Sequence, residues 1–221
     1  MYKNTETKFI TVNGIKFAYR ELGSQQGVPV ILLNHWGAVL DNFDPYIVDE
    51  LAKSHRVIAV DYRGIGSSGG SAPISISEMA DDTIALIHKF GFTKVSIFGF
   101  SLGGMVAQDV INKAPELVQK LILTGTGPAG GKGINQVGRV SWTLIIKGLL
   151  TFRDPKFYLF FTSSDGSRHA AKEFLARIKE RKTNRDKGPT PRAFLRQLKA
   201  IHAWGNQAPQ NLGAITIPVL I

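Results

Sequence analysis

A chain of 221 residues with 43% apolar side chains is long enough to bury the core of one large α/β domain, with or without an insertion. It has no cysteine, which excludes disulfides, thiolate catalysis and zinc–thiolate sites. Its net charge is +10, yet no apolar run approaches the roughly 20 residues that span a bilayer, and the polar start (Met1 to Lys8) has no apolar signal core, so a cytoplasmic, soluble protein is expected.

Residues 1–127 alternate strand and helix signals. Phe9–Val12 and Ile15–Arg20 flank Asn13-Gly14, a strong hairpin turn. Val30–Leu33 is a short continuous apolar run, as in a strand buried on both faces. Asp41–Ser54 carries Phe43, Ile47 and Leu51 at helical spacing, and Arg56–Asp61 is the next strand. A glycine-rich loop, Arg63 to Gly70, follows. Ser75-Ile-Ser-Glu78 is a capping-box pattern; it opens a helix with Met79, Thr83, Leu86 and Ile87 on one side, ended by Gly91. Then come a strand at Thr93–Phe98, a sharp turn around Ser101, a helix closing at Ala114-Pro115, and a strand at Leu121–Leu123. This alternation predicts a mostly parallel, doubly wound sheet covered on both faces, with the opening hairpin as an antiparallel edge.

The pattern breaks at Thr124–Gly133. Helical periodicity runs near 137–150, 155–162, 167–182 and 191–204, with Asp186–Pro191 as a break, and strand character returns only at Ile215–Ile221. The expected organisation is a core at 1–127, a helical cap at 128–213 and a returning core strand at 214–221. All of the charge excess lies beyond residue 127, where 16 Lys and Arg stand against 5 Asp and Glu. No nucleic-acid motif accompanies these cations, and they fall at helical spacing among apolar residues. They are expected to form solvated helix faces, with neither nucleic acid nor membrane as partner.

Gly99-Phe100-Ser101-Leu102-Gly103 reads Gly-x-Ser-x-Gly between a strand and a helix, the arrangement that lifts a serine hydroxyl clear of a sheet. Serine is a weak nucleophile without a base to take its proton and donors to stabilise the oxyanion. Gly99 and Gly103 carry no side chain where strand and helix meet, and the helix start directs its positive end at the serine. The amide of Leu102 would be one oxyanion donor; the second is expected from the loop after Val30–Leu33, Asn34-His35-Trp36-Gly37, through Trp36 or Gly37. His35 reads as a structural loop histidine at the wrong chain position for a base. Neither a cofactor nor a metal ion is called for by these residues.

These residues resemble the α/β-hydrolase family. Asn34–Pro45 looks like its oxyanion loop and first helix, Val60–Ser68 like its Asp-x-Arg-Gly-x-Gly-x-Ser loop, Gly99–Gly104 like its nucleophile elbow, and 134–207 falls where the family inserts a cap. The flavour is that of the esterase or cofactor-free haloperoxidase-like branch. Serine at 101 separates it from the epoxide-hydrolase and haloalkane-dehalogenase branches, which use aspartate there. The resemblance implies a serine hydrolase of small-molecule esters or related acyl substrates. It also implies an acid after the strand that follows the cap, then a histidine.

Ile215–Ile221 looks like the strand just before that acid, so the C-terminal strands and helix, with both triad partners, are expected to be missing and turnover to be impaired. Thr124–Lys132 offers no alternative carboxylate. His169 and His202 lie in the helical segment and read as surface or packing histidines, and Asp154 and Asp165 as helix N-terminal residues. Trp142, Phe157, Phe160, Phe161 and Trp204 are candidate pocket walls. A non-catalytic ligand-binding or interaction module on the same scaffold is the alternative.

Overall fold

The computed structural model describes residues 1–221. Strands β1 (Lys8–Val12) and β2 (Ile15–Gly23) form the hairpin around Asn13-Gly14, both at positive φ. They are followed by β3 (Val30–Leu33), α1 (Pro45–Ala52), β4 (Arg56–Val60), α2 (Ile76–Lys89), β5 (Val95–Phe100), α3 (Leu102–Lys113) and β6 (Val118–Thr124). Helices α4 (Val137–Leu150), α5 (Lys156–Leu159), α6 (Asp165–Arg177) and α7 (Pro191–Gly205) precede a two-residue β7 (Val219–Leu220). The single sheet runs β1-β2-β4-β3-β5-β6-β7. Pairings up to β2–β4 are antiparallel and all others parallel. This is the α/β architecture expected from the sequence.

The central strands are buried on both faces, and their side chains divide by parity. Val30, Leu32, Val57 and Ala59 pack with Val48 of α1 and with Tyr2, while Ile31, Leu33, Ile58 and Val60 pack with Met79 and Ile87 of α2 and with α3. Ser75 caps α2 as its spacing predicts: its hydroxyl accepts from Glu78 N (3.2 Å) and donates to Glu78 Oε2 (3.0 Å). The helical spacing at Asp41–Ser54 yields only α1. Asp44 caps it by accepting from Tyr46 N (3.0 Å), Pro45 takes its first position, and Leu40–Asn42 is a separate 3₁₀ turn. The expected strand at Ile215–Ile221 shrinks to β7. Pro218 has no N–H to give, and its carbonyl accepts instead from Leu121 N (3.0 Å).

The loop after β4 shows why a serine closes its motif. Ser68 Oγ accepts from Ala18 N (2.9 Å) and donates to Asp61 O (3.1 Å), tying the loop to β2. A second tie reaches across the chain. Arg20, 1% exposed, holds Asp41 Oδ1 (2.8 Å) and Asp186 Oδ2 (2.7 Å) with one Nη2, and Asp186 N donates to Asp41 Oδ2 (2.8 Å). It joins the hairpin, the turn after β3 and the segment before α7. Burial and the neighbouring Asp41 push the Asp186 carboxyl up to about 6, against the lowering pull of Arg20.

A Cβ on Gly103 would stand 2.0 Å from the Leu33 carbonyl oxygen, which is fixed in the sheet. Gly103→Ala is expected to cost at least about 2 kcal/mol in urea denaturation or to prevent folding. Gly166→Ala, in open space on α6, is expected to be neutral or to stabilise by up to about 1 kcal/mol. Arg20→Met leaves the buried Asp186 carboxylate without a cation and Asp41 with only Arg181 and Arg185 at 3.7 Å. It is expected to cost about 3–5 kcal/mol, with part of the loss recovered when Asp186→Asn is added.

Candidate functional site

Ser101 follows β5 and precedes α3 with φ 53° and ψ −113°, a conformation strained for any side chain. Its surroundings hold it there. Ser101 N donates to Thr124 O (2.9 Å) at the end of β6, and Thr126 Oγ1 donates to Ser101 O (2.8 Å). The adjacent glycines are required by contact. A Cβ on Gly99 would lie 2.6 Å from the Gly103 carbonyl oxygen, and one on Gly104 would lie 2.5 Å from Thr126 Cγ2. Leu102 is buried, and its amide is the first of α3, so no carbonyl of the helix accepts from it.

The loop after β3 lies alongside because β3 and β5 are paired neighbours, Leu33 opposite Gly99. Asn34 shapes it, accepting from His35 N (2.8 Å) and donating to Val39 O (3.2 Å). The Trp36–Gly37 peptide is pinned at both ends. Trp36 O accepts from His35 Nδ1 (2.8 Å), and Gly37 N donates to Gln197 Oε1 (2.9 Å), a fully buried side chain on α7. The Trp36 indole donates to Phe194 O (2.8 Å) and stacks on the Phe194 ring at 4.1 Å. Gly37 sits at φ 71°, and a Cβ there would meet that ring at 2.6 Å. The Gly37 amide is thus occupied, whereas the Trp36 amide has no acceptor in the protein.

A cavity of about 850 Å³ opens over these groups. His35, Trp36, Gly37 and Ser101 line it together, with Phe100, Met105 and Phe194 among its apolar walls. Of the five expected wall residues, Phe160 alone faces this cavity. Trp204 is buried with its indole donating to Gly127 O (3.1 Å), Trp142 is 41% exposed, and Phe157 and Phe161 line a separate hollow. Asp154 and Lys156, paired at 3.5 Å, sit at the wall. Phe194 and Gln197 were not singled out from the sequence. Their only signal there is a place on the apolar stripe of α7 with Leu198 and Ile201, which reads equally well as packing.

The imidazole of His35 lies between the rings of Phe100 and Phe160, at 5.2 and 5.1 Å. Trp36 O can only accept, so Nδ1 carries the proton and Nε2 is an unpartnered acceptor. Burial pushes the His35 pKa down to about 4. His169 lies exposed on α6 beside Glu173 (3.3 Å), and His202 on α7 directs Nε2 toward Gly138; neither lines the cavity. The Ser101 hydroxyl makes no hydrogen bond to any histidine or carboxylate. No helix is long and apolar enough to cross a membrane, and no three His, Asp or Glu residues gather as metal ligands.

Residues 28–210 match the model of the alpha/beta hydrolase fold family, and the chain belongs to that family. An alpha/beta hydrolase fold protein from Chitinophaga pinensis superposes with a TM-score of 0.90 at 33% identity, covering 99% of this chain and 78% of that one. An esterase from Exiguobacterium antarcticum shares the fold, with a TM-score of 0.68 at 23% identity over 97% of this chain and 79% of its own. Proline iminopeptidase PfmaB of Pestalotiopsis fici is 32% identical over 126 residues, which are 55% of this chain and 44% of that protein. The chain therefore spans less than half of that relative.

Acid should act on this site through His35. The unfolded imidazole protonates near 6.5 and the folded one near 4, so the unfolded chain binds the extra proton between them. The contribution of His35 is complete above about pH 6.5 and is lost as pH falls toward 4, by up to about 3 kcal/mol. Urea titrations across this window should show that loss, and His35→Gln should flatten it.

Proposed function

We propose that the chain carries the nucleophile and oxyanion site of a serine hydrolase acting on small-molecule esters or related acyl compounds. Ser101 attacks the acyl carbon, and the amides of Leu102 and Trp36 receive the oxyanion. The observation that carries this reading is the strained Ser101 at the head of α3, beside a loop in which the Trp36 amide has no acceptor and the Gly37 amide has one. Gly37, the other candidate donor, is the weaker choice because Gln197 accepts its N–H. Residues 1–127 act as the catalytic core, 128–213 as a cap that walls the acyl pocket through Phe160 and Phe194, and 214–221 as the returning core strand. No cofactor or metal is required. The relatives' names, an esterase and an iminopeptidase, point to acyl transfer from oxygen or nitrogen leaving groups.

We infer slow turnover by these 221 residues alone. His35 is the histidine that shares the cavity, and with a pKa pushed down to about 4 it is a poor base at neutral pH. By the family resemblance the acid and histidine come after the strand that follows the cap. Loss of a triad member leaves roughly 10³–10⁴-fold catalysis over water from the oxyanion site and binding. The second reading, a ligand-binding module, draws on the same free cavity of about 850 Å³ over an unactivated hydroxyl.

Labelling by an activated fluorophosphonate separates the two. Stoichiometric labelling that Ser101→Ala abolishes is expected for a retained nucleophile, and no labelling favours the module. Turnover of p-nitrophenyl acetate should be slow; rapid turnover that depends on Ser101 would refute the impairment.

A further inference from the structure

Against the expectation from charge spacing that this region has no membrane partner, we propose that the outer face of α4 and the turn after it form a docking surface for an anionic lipid membrane. This does not rest on the chemistry assigned to Ser101. Helix α4 is apolar apart from Ser141 and one exposed polar row, Arg139, Thr143 and Lys147, and globular proteins normally bury apolar helix surface of this extent. Only its inner face is covered: Val137, Ser141 and Ile145 line the Ser101 cavity. On the outer face Trp142, Ile146, Leu149 and Leu150, at the spacing i, i+4, i+7 and i+8, are 41%, 51%, 66% and 75% exposed. The stripe continues into Phe152, which is 98% exposed and held at φ 53°.

That turn is well defined. Phe152 N donates to Leu149 O (3.2 Å), Arg153 N to Gly148 O (2.9 Å), and Thr151 Oγ1 to Lys147 O (2.8 Å). A left-handed phenylalanine is rare, because its Cβ crowds the backbone. Here the turn holds an aromatic ring out in water, beside leucines that water also surrounds.

The charges around this stripe identify the occupant. Between Gly127 and Asp165 the chain has five cations and one acid, Asp154, which Lys156 binds at 3.5 Å. Lys147, Arg153 and Arg168 make no ion pair, and together with Tyr158, Thr162 and Ser163 they line a hollow of about 380 Å³. Aromatic rings support two of their stems: Lys147 Nζ lies 4.7 Å from the Tyr158 ring centroid, and the Arg153 guanidinium 4.8 Å from that of Phe157. Cations and hydroxyls converging without a carboxylate suit a phosphodiester headgroup, and the apolar stripe suits the acyl boundary beneath it. A second copy of the chain fits poorly, since a two-fold contact would oppose these cations to one another. Docked this way, α4 would separate the lipid from the Ser101 cavity by a single helix.

Flotation of the whole chain with vesicles tests the proposal. It should float with vesicles of equal parts phosphatidylcholine and phosphatidylglycerol, stay behind with phosphatidylcholine alone, and be released as salt is raised. Leu150→Ser with Phe152→Ser should lower the bound fraction about tenfold. Lys147→Gln with Arg153→Gln should lower it and blunt the salt response, whereas Lys94→Gln, an exposed lysine of the core, should leave it unchanged. All five side chains are exposed, so thermal melts should match the parent. No flotation, equal flotation with both vesicles, or a dimer in solution that the Leu150 and Phe152 changes dissociate would overturn the proposal.

Discussion

The close approach of α3 to β3 governs everything built around Ser101. Gly103 lies so near the Leu33 carbonyl that hydrogen is the only substituent its Cα can carry there. This contact seats the N-terminus of α3 directly above the carboxyl ends of β3 and β5, where the loops leaving two adjacent parallel strands open into a crevice. The helix start, the strained serine and the Asn34–Gly37 loop share one space because of it. Moving the helix outward to admit a methyl group would carry the start of α3 away from the loop after β3. The thread between β5 and β6 has the same logic: Thr124 and Thr126 hold both ends of the Ser101 backbone unit, so the unfavourable φ is maintained by the sheet and does not relax into the helix.

The facing loop is held from the opposite side of the chain. Gln197 and Phe194, on the last long helix, take the Gly37 amide and the Trp36 indole, while Asp186, just before that helix, meets Arg20 and Asp41. The loop is therefore clamped at Trp36–Gly37 and again at Asp41, by one continuous segment, 186–197. Burying this arginine with two carboxylates is costly in itself, and such a cluster contributes little to net stability compared with apolar packing. Its consequence is geometric. With the Trp36 carbonyl and the Gly37 amide both engaged, the peptide between them cannot rotate, and the Trp36 amide one bond earlier is left free and oriented.

Local chemistry was legible in the sequence and distant pairing was not. Val30–Leu33 and 137–150 could be bounded from apolar pattern alone. The Ser75–Glu78 cap and the Asn13-Gly14 turn depend on residues within a few positions of one another. Where neighbouring signals compete, the stronger local one wins: Asp44-Pro45 starts α1 four residues after the periodicity begins, and Pro218 confines β7 to two residues. That the Gly37 amide is occupied could not be read, because its partner is a glutamine 160 residues away on the apolar stripe of its helix. Four of the five expected pocket walls lie away from the cavity for the same reason. Trp142 and Trp204 have the right chemistry, but periodicity does not say which face of a helix meets which neighbour, and Phe194 took the place expected of them.

His35 illustrates how a histidine can share a cavity with a candidate nucleophile and still be unsuited to act as its base. Its tautomer is the one a general base needs, with Nδ1 protonated and Nε2 free to accept. Its environment argues the other way. Burial, with Lys156 nearby, disfavours the imidazolium, so the pKa falls to about 4, well below neutral pH. A base that weak gains little driving force from accepting a serine proton at neutral pH. Its Nδ1–H donates to Trp36 O in either protonation state, and the same burial keeps Nε2 unprotonated through the physiological range. Position in the chain and electrostatics thus converge on one role, in which His35 orients the peptide that leaves the Trp36 amide available.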